Sequence, residues 1–123
     1  MTEKKGTRNN PDWDPDALVE FALLPAGEGG KTLGVSNGYR PQYLINDDYL
    51  TSTDHFFIDS DRVKLGHSCN AFVRFITPEA YPHTLSVGRR IKVQEGSRLV
   101  GHATVIEIYN DELNKDRQQE AGA

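Results

Sequence analysis

The strictest constraint on this chain is a period of two. In CNAFVRFIT (69–77) the alternate residues Cys69, Ala71, Val73 and Phe75 form one apolar face. In LSVGRRIKVQE (85–95), Ser86, Gly88, Arg90, Lys92 and Gln94 form a polar face against Val87, Ile91 and Val93. Side chains two apart share a face only on a strand, so both stretches read as half-buried strands. Arg89 breaks the second pattern beside Gly88, which predicts a β-bulge there. The same texture of Phe, Val, Ile and Thr, punctuated by Gly, Asn, Asp and Pro, predicts six strands: 17–24, 39–46, 53–58, 69–77, 85–95 and 98–109. Glu95-Gly96-Ser97 is a short hairpin turn, with Gly96 free to adopt positive φ. With no convincing internal helix, the fold class is all-β, a small barrel or sandwich. No repeat and no low-complexity tract stands out.

The chain has 123 residues, which is one domain's worth, and a formal net charge of −4. A protein that lives on phosphate contacts is usually basic, so this balance counts against a dedicated nucleic-acid binder. A lone cysteine, Cys69, suits a reducing compartment. Met1 leads into Thr-Glu-Lys-Lys, so no secretory leader is expected, and no apolar run has the length of a membrane span. The expected location is the cytoplasm. Residues 1–16 read as a loosely packed polar arm, and 110–123 as a polar tail or short frayed helix.

Residues 25–32, PAGEGGKT, nearly spell the phosphate-cradling loop of nucleotide hydrolases. That loop needs glycine where Pro25 stands, and a helix directly after it. Proline has no N–H to offer a phosphate. Downstream, TLGVSNGYRP holds two glycines and a proline, so no helix begins there. The segment is therefore read as a hairpin loop, with no nucleotide and no cofactor expected.

EGGKTLGVSNGYRPQY (28–43) resembles the start of the third, C-terminal β-barrel domain of bacterial elongation factor Tu. IKVQEGSRLVGHATVIEI (91–108) resembles that domain's last two strands, and the likeness covers roughly 17–109. The resemblance implies a six-stranded antiparallel closed barrel without catalytic residues, encoded here as a separate small protein without GTPase domain or second barrel. In the family this domain packs on its neighbours and touches the T-stem backbone of aminoacyl-tRNA. Carried over one residue at a time, the tRNA-facing positions fall on Lys31, Gln42, Thr51, Glu95 and Gly96. The family's frequent histidine after the lysine is Thr32 here, its basic residue before the mid-domain proline is Thr77, and its second hairpin glycine is Ser97. Contact with RNA through what persists would be weak.

Other residues have plainer readings beside the functional ones. Tyr39 and Tyr43 share a face and suit the core. Pro41 within a strand implies an edge or a bulge. Arg40 points to the other face and is a candidate partner contact. Arg90, Lys92 and Arg98 form either a partner surface or an ordinary solvated strand face. His67 and Cys69 share a strand face, yet no second ligand pair accompanies them, so no metal is expected. Asp47-Asp48 and Asp59-x-Asp61 suit turns. The leading functional expectation is a non-catalytic module that engages a protein partner in an accessory, mimic or immunity-like role. The alternative is a weak RNA-binding module for tRNA-like stems, and a nucleotide-binding enzyme ranks third.

Overall fold

A computed structural model describes residues 11–29, 31–46, 49–58 and 60–116. Asp47, Asp48, Asp59, Gly30 and most of the expected arm and tail lie outside the described residues. The strands are β1 (Ala17–Leu23), β2 (Val35–Ser36), β3 (Gln42–Asn46), β4 (Tyr49–Phe57), β5 (Arg62–Val63), β6 (Ser68–Phe75), β7 (Arg90–Glu95) and β8 (Arg98–Ile108). Six of them close into one antiparallel barrel in the order β1-β6-β4-β3-β7-β8, with β8 returning to β1. The two short strands β2 and β5 pair separately as a small ribbon. The fold is thus all-β, as expected. No helix among the described residues is long and apolar enough to cross a membrane.

The period of two holds within the strands, but Val87, expected on the inner face with Ile91 and Val93, lies in the turn before β7 and is 67% exposed. Ala71, Val73 and Phe75 of β6 and Ile91 and Val93 of β7 face the interior and are buried, while Arg74, Arg90 and Lys92 face out. Rings fill the centre: Phe21, Tyr39, Tyr43, His55, Phe57 and Phe75 meet at centroid distances of 5.1–5.8 Å, many edge-on.

Two strand boundaries differ from expectation for a shared reason. β7 was expected from 85 but begins at Arg90, and β3 from 39 but begins at Gln42. Each is preceded by the same device. The Arg89 N–H donates to the Ser86 carbonyl across a tight turn, with Gly88 at φ 93°. The Gly88 N–H then donates to the Val105 carbonyl, and the Val105 N–H to Arg89. Two residues on one strand therefore face one on its neighbour, which is the bulge expected beside Gly88. Ser36-Asn37-Gly38-Tyr39 repeats the geometry against His55, with Gly38 at φ 94°. The repeat is visible in the sequence as SNGYR (36–40) and SVGRR (86–90), a signal that a search for longer repeats passes over.

Pro41 sits neither on an edge nor at a free end. In register it lies opposite Thr53, whose N–H donates to the Pro41 carbonyl at 2.9 Å. The reciprocal bond is missing because proline has no N–H. The Thr53 carbonyl left over is met from inside the barrel by His55 Nδ1 at 3.1 Å, which also lies 3.3 Å from the Tyr39 carbonyl. Carbonyls only accept, so Nδ1 carries the proton. Nε2 then accepts from the Tyr43 hydroxyl at 2.7 Å. Burial holds the His55 pKa down at about 4, against the opposing pull of those carbonyls and of Asp54.

The expected arm and tail are partly anchored. Asp16 is buried, where it accepts from the Phe75 N–H at 2.8 Å and from the Asn110 side-chain amide at 2.9 Å. Its carbonyl accepts from the N–H groups of Tyr109 and Asn110. The span Asp111–Leu113 is a 3₁₀ turn whose Leu113 is buried, and backbone bonds tie 113–115 to Leu85. A single apolar residue among charges gave a weak signal, yet it caps one end of the barrel beside Tyr81 and Leu85.

Replacing Gly38 or Gly88 with alanine forces a left-handed residue at the bulge and should cost about 1–2 kcal/mol each. Denaturant unfolding with unchanged far-ultraviolet dichroism checks this. His55 titrates at about 4 when folded and near 6.5 when unfolded, so the unfolded chain binds the extra proton. Stability attributable to His55 is complete above pH 6.5 and falls by about 3 kcal/mol as the pH drops to 4. His55→Phe should flatten that slope and cost about 2–4 kcal/mol at pH 7, because Thr53 and Tyr43 lose their partner. Unfolding free energies measured from pH 4 to 7 for both proteins decide it.

Candidate functional site

Two of the expected surface residues, Lys31 and Glu95, come together at one end of the barrel with Tyr39, which the period of two assigns to the core. Lys31 Nζ donates to Glu95 Oε2 at 2.9 Å, and the Tyr39 hydroxyl donates to the same oxygen at 2.6 Å. Lys31 also sits 5.7 Å from the centre of the Tyr39 ring. Glu95 is held there because it ends β7 at the hairpin, with Gly96 at φ 63° in the tight turn and Arg98 opposite on β8. Burial raises the Glu95 pKa, but the Tyr39 hydroxyl, Lys31 and Arg98 outweigh it and leave it lowered. Burial and Glu95 together push the Tyr39 phenol well upward, so it stays a proton donor.

Gln42 lies outside this trio. It is half-buried on the outer wall, opposite Gln94 on one side and Ser52 on the other. Thr51 does not belong to the surface: it is 3% exposed and its hydroxyl pairs with the Tyr81 hydroxyl at 2.9 Å. The strand β4 starts at Tyr49, earlier than expected, and its period of two turns Thr51 inward with Thr53 and His55. The five carried-over positions therefore divide. Lys31 and Glu95 neutralise each other, Thr51 is internal, and Gln42 and Gly96 alone remain open to a partner.

The phosphate-loop reading finds no support in the local geometry. Lys31 is followed by the two-residue strand β2, and its amine is engaged by a carboxylate. Among the described residues no group of three or more His, Cys, Asp or Glu is placed to hold a metal. The Cys69 thiol donates to the Ile58 carbonyl at 3.2 Å.

The partner-surface candidates also divide. Arg40 is paired: its Nε lies 3.1 Å from Asp54 Oδ1. Arg74 donates to Asp54 Oδ2 through Nε and Nη2, and Trp13 lies 5.0 Å from the Arg74 guanidinium. Arg90 and Lys92 point outward from β7 without a carboxylate partner among the described residues.

One surface feature was missed in the sequence. Leu18, Phe72 and Phe56 are outward positions of β1, β6 and β4 and stand side by side in register. Tyr109 joins them, 6.2 Å from Phe72, and Ile76, one residue past the end of β6, lies at the same parity. Tyr109 is 42% exposed and Ile76 55%. Phe72 and Ile76 break the alternation of 69–77 on its outer face, which was the available signal. No family model matches the chain.

Because Lys31 and Glu95 are partly solvated, their pair should contribute little. Lys31→Met should cost no more than about 1 kcal/mol, measured by thermal unfolding.

Proposed function

We propose that this chain is a non-catalytic binding module with the architecture of the third domain of elongation factor Tu, and that its partner is a protein. The outward aromatic row of β4, β6 and β1 carries this reading. A barrel wall facing only water needs no aromatic residues at its outward positions; here Leu18, Phe56 and Phe72 are half-buried beside the exposed Tyr109 and Ile76, and contiguous apolar groups at a surface mark contact sites. The row is bordered by Trp13, Arg74 and Tyr109, the residue types that dominate protein interface energetics. The Arg40–Asp54–Arg74 pairing forms a polar rim beside it. The six-stranded closed barrel agrees with the fold that the resemblance implies. The RNA reading is weakened by its own residues, since Lys31 is neutralised and Thr51 is internal.

Affinity capture from cell extract with the wild-type chain and with Phe72→Arg tests the proposal. The wild type should retain a defined protein that the variant releases, with a loss of about 2 kcal/mol, roughly thirtyfold in Kd. Identical capture by both chains, or capture of RNA alone, overturns it.

A further inference from the structure

The strand β7 lies three places from β6 around the ring, so its outer wall faces away from the aromatic row. Its outward residues Arg90 and Lys92 are exposed. Lys92 stands opposite His102 on β8, and Arg90 Nη2 reaches to 3.3 Å from His102 Nδ1. Among the described residues, the other outward neighbours are Gln42, Leu44 and Asn46 of β3 and Thr104 of β8, none of them acidic. Leu44, Ile45, Asn46, Arg89, Arg90 and Lys92 line a shallow groove along this wall.

This arrangement differs from that of Lys31, Arg40 and Arg74, although the exposed Arg62 and Lys64 at the β2–β5 ribbon also lack a carboxylate partner among the described residues. Lys31, Arg40 and Arg74 each have a carboxylate within 3.1 Å, whereas Arg90 and Lys92 have none among the described residues. Like charges on one strand face repel, and His102 feels it: burial, then Arg90 and Lys92, lower its pKa. An anion seated here would relieve that repulsion.

We propose that the β7 wall is a second docking site, for an extended acidic segment of a partner polypeptide with carboxylates at alternate positions. Alternate residues on an extended chain lie about 7 Å apart on one side, the same spacing that separates Arg90 from Lys92 along β7. A peptide beside β7 therefore brings its carboxylates into register with both cations, while Leu44 offers an apolar lip. A nucleic acid fits less well. The chain's net charge of −4 opposes a long polyanion, whereas a short acidic segment meets only the local field, within a screening length of about 10 Å.

Titration of the isotopically labelled protein at low salt, followed by amide and histidine resonances, tests this with two probes: a synthetic Glu-Ser repeat peptide and an RNA hairpin. The peptide should shift resonances of β7, β8 and the facing part of β3, and should raise the His102 titration midpoint. Arg90→Glu with Lys92→Glu should weaken it at least about tenfold, as two lost and reversed charge contacts imply. Arg90→Gln with Lys92→Gln, checked for a native spectrum, gives the same direction if the reversed variant unfolds. Arg62→Glu on β5 should leave binding unchanged. No shifts, shifts confined to other faces, full affinity in the double variants, or tighter binding of the RNA hairpin through these residues would each overturn the proposal.

Discussion

A closed barrel has no edge on which to hide a proline, and this barrel places one inside a ladder. Everything at its centre follows from that choice. Pro41 leaves the Thr53 carbonyl without its strand partner, in surroundings where an unmet polar group is costly. The imidazole of His55 meets it, and Tyr43 in turn meets the imidazole. An aliphatic side chain at position 55 would fill the space but leave the carbonyl unmet. A protonated histidine would meet the carbonyl, but it would place a charge among Phe21, Tyr43 and Phe57. The neutral Nδ1–H form does both tasks, and the low pKa follows from that burial.

The paired turn-bulges act at the same level. Each uses a glycine at positive φ to turn the chain and then offers two residues to one position across the ladder. The second residue of each bulge is redirected. Tyr39 leans over Lys31 and Glu95, while Arg89 donates to the Thr84 and Ile45 carbonyls at the far end of β3. Because β3 and β7 are antiparallel neighbours, the two devices sit at opposite ends of that pair. One holds the Tyr39–Glu95 contact and the other secures the exit of β3. The outward parity of Arg90 and Lys92 is set from the same bulge.

Much of this could be read in the sequence, and the misses have physical causes. The strand face of 69–77, that of 91–95, the bulge beside Gly88 and the Gly96 turn depend on local periodicity and on glycine, both visible in one dimension. Pro41 was read as an edge or bulge, because nothing local shows that a histidine fourteen residues later will supply the missing donor. Thr51 was placed on the surface by the resemblance alone, and its strand was expected only from 53, so no local parity stood against that placement. Leu113 and Asp16 were assigned to flexible ends because their partners, Leu85, Phe75 and Asn110, are distant in sequence. The candidate surface was legible only as a set of charges. Which cations were already neutralised depended on Asp54 and Glu95, and only the fold brings those to Arg40, Arg74 and Lys31.

That distribution of neutralised charge is what gives the two walls different characters. On the β6 side, Asp54 takes both arginines, so the half-buried Leu18, Phe56 and Phe72 and the exposed Tyr109 and Ile76 supply apolar area that favours removal from water. On the β7 side, no described carboxylate answers Arg90 and Lys92, so the unsatisfied term is electrostatic and sensitive to salt. On the proposed reading, the first wall would select a partner by shape and apolar area, the second by charge. Since the net charge is negative, attraction at the second wall arises from local placement and not from the chain's overall field. A partner carrying an apolar patch and an acidic extended segment could therefore grip opposite sides of one small barrel without the two contacts competing for the same residues.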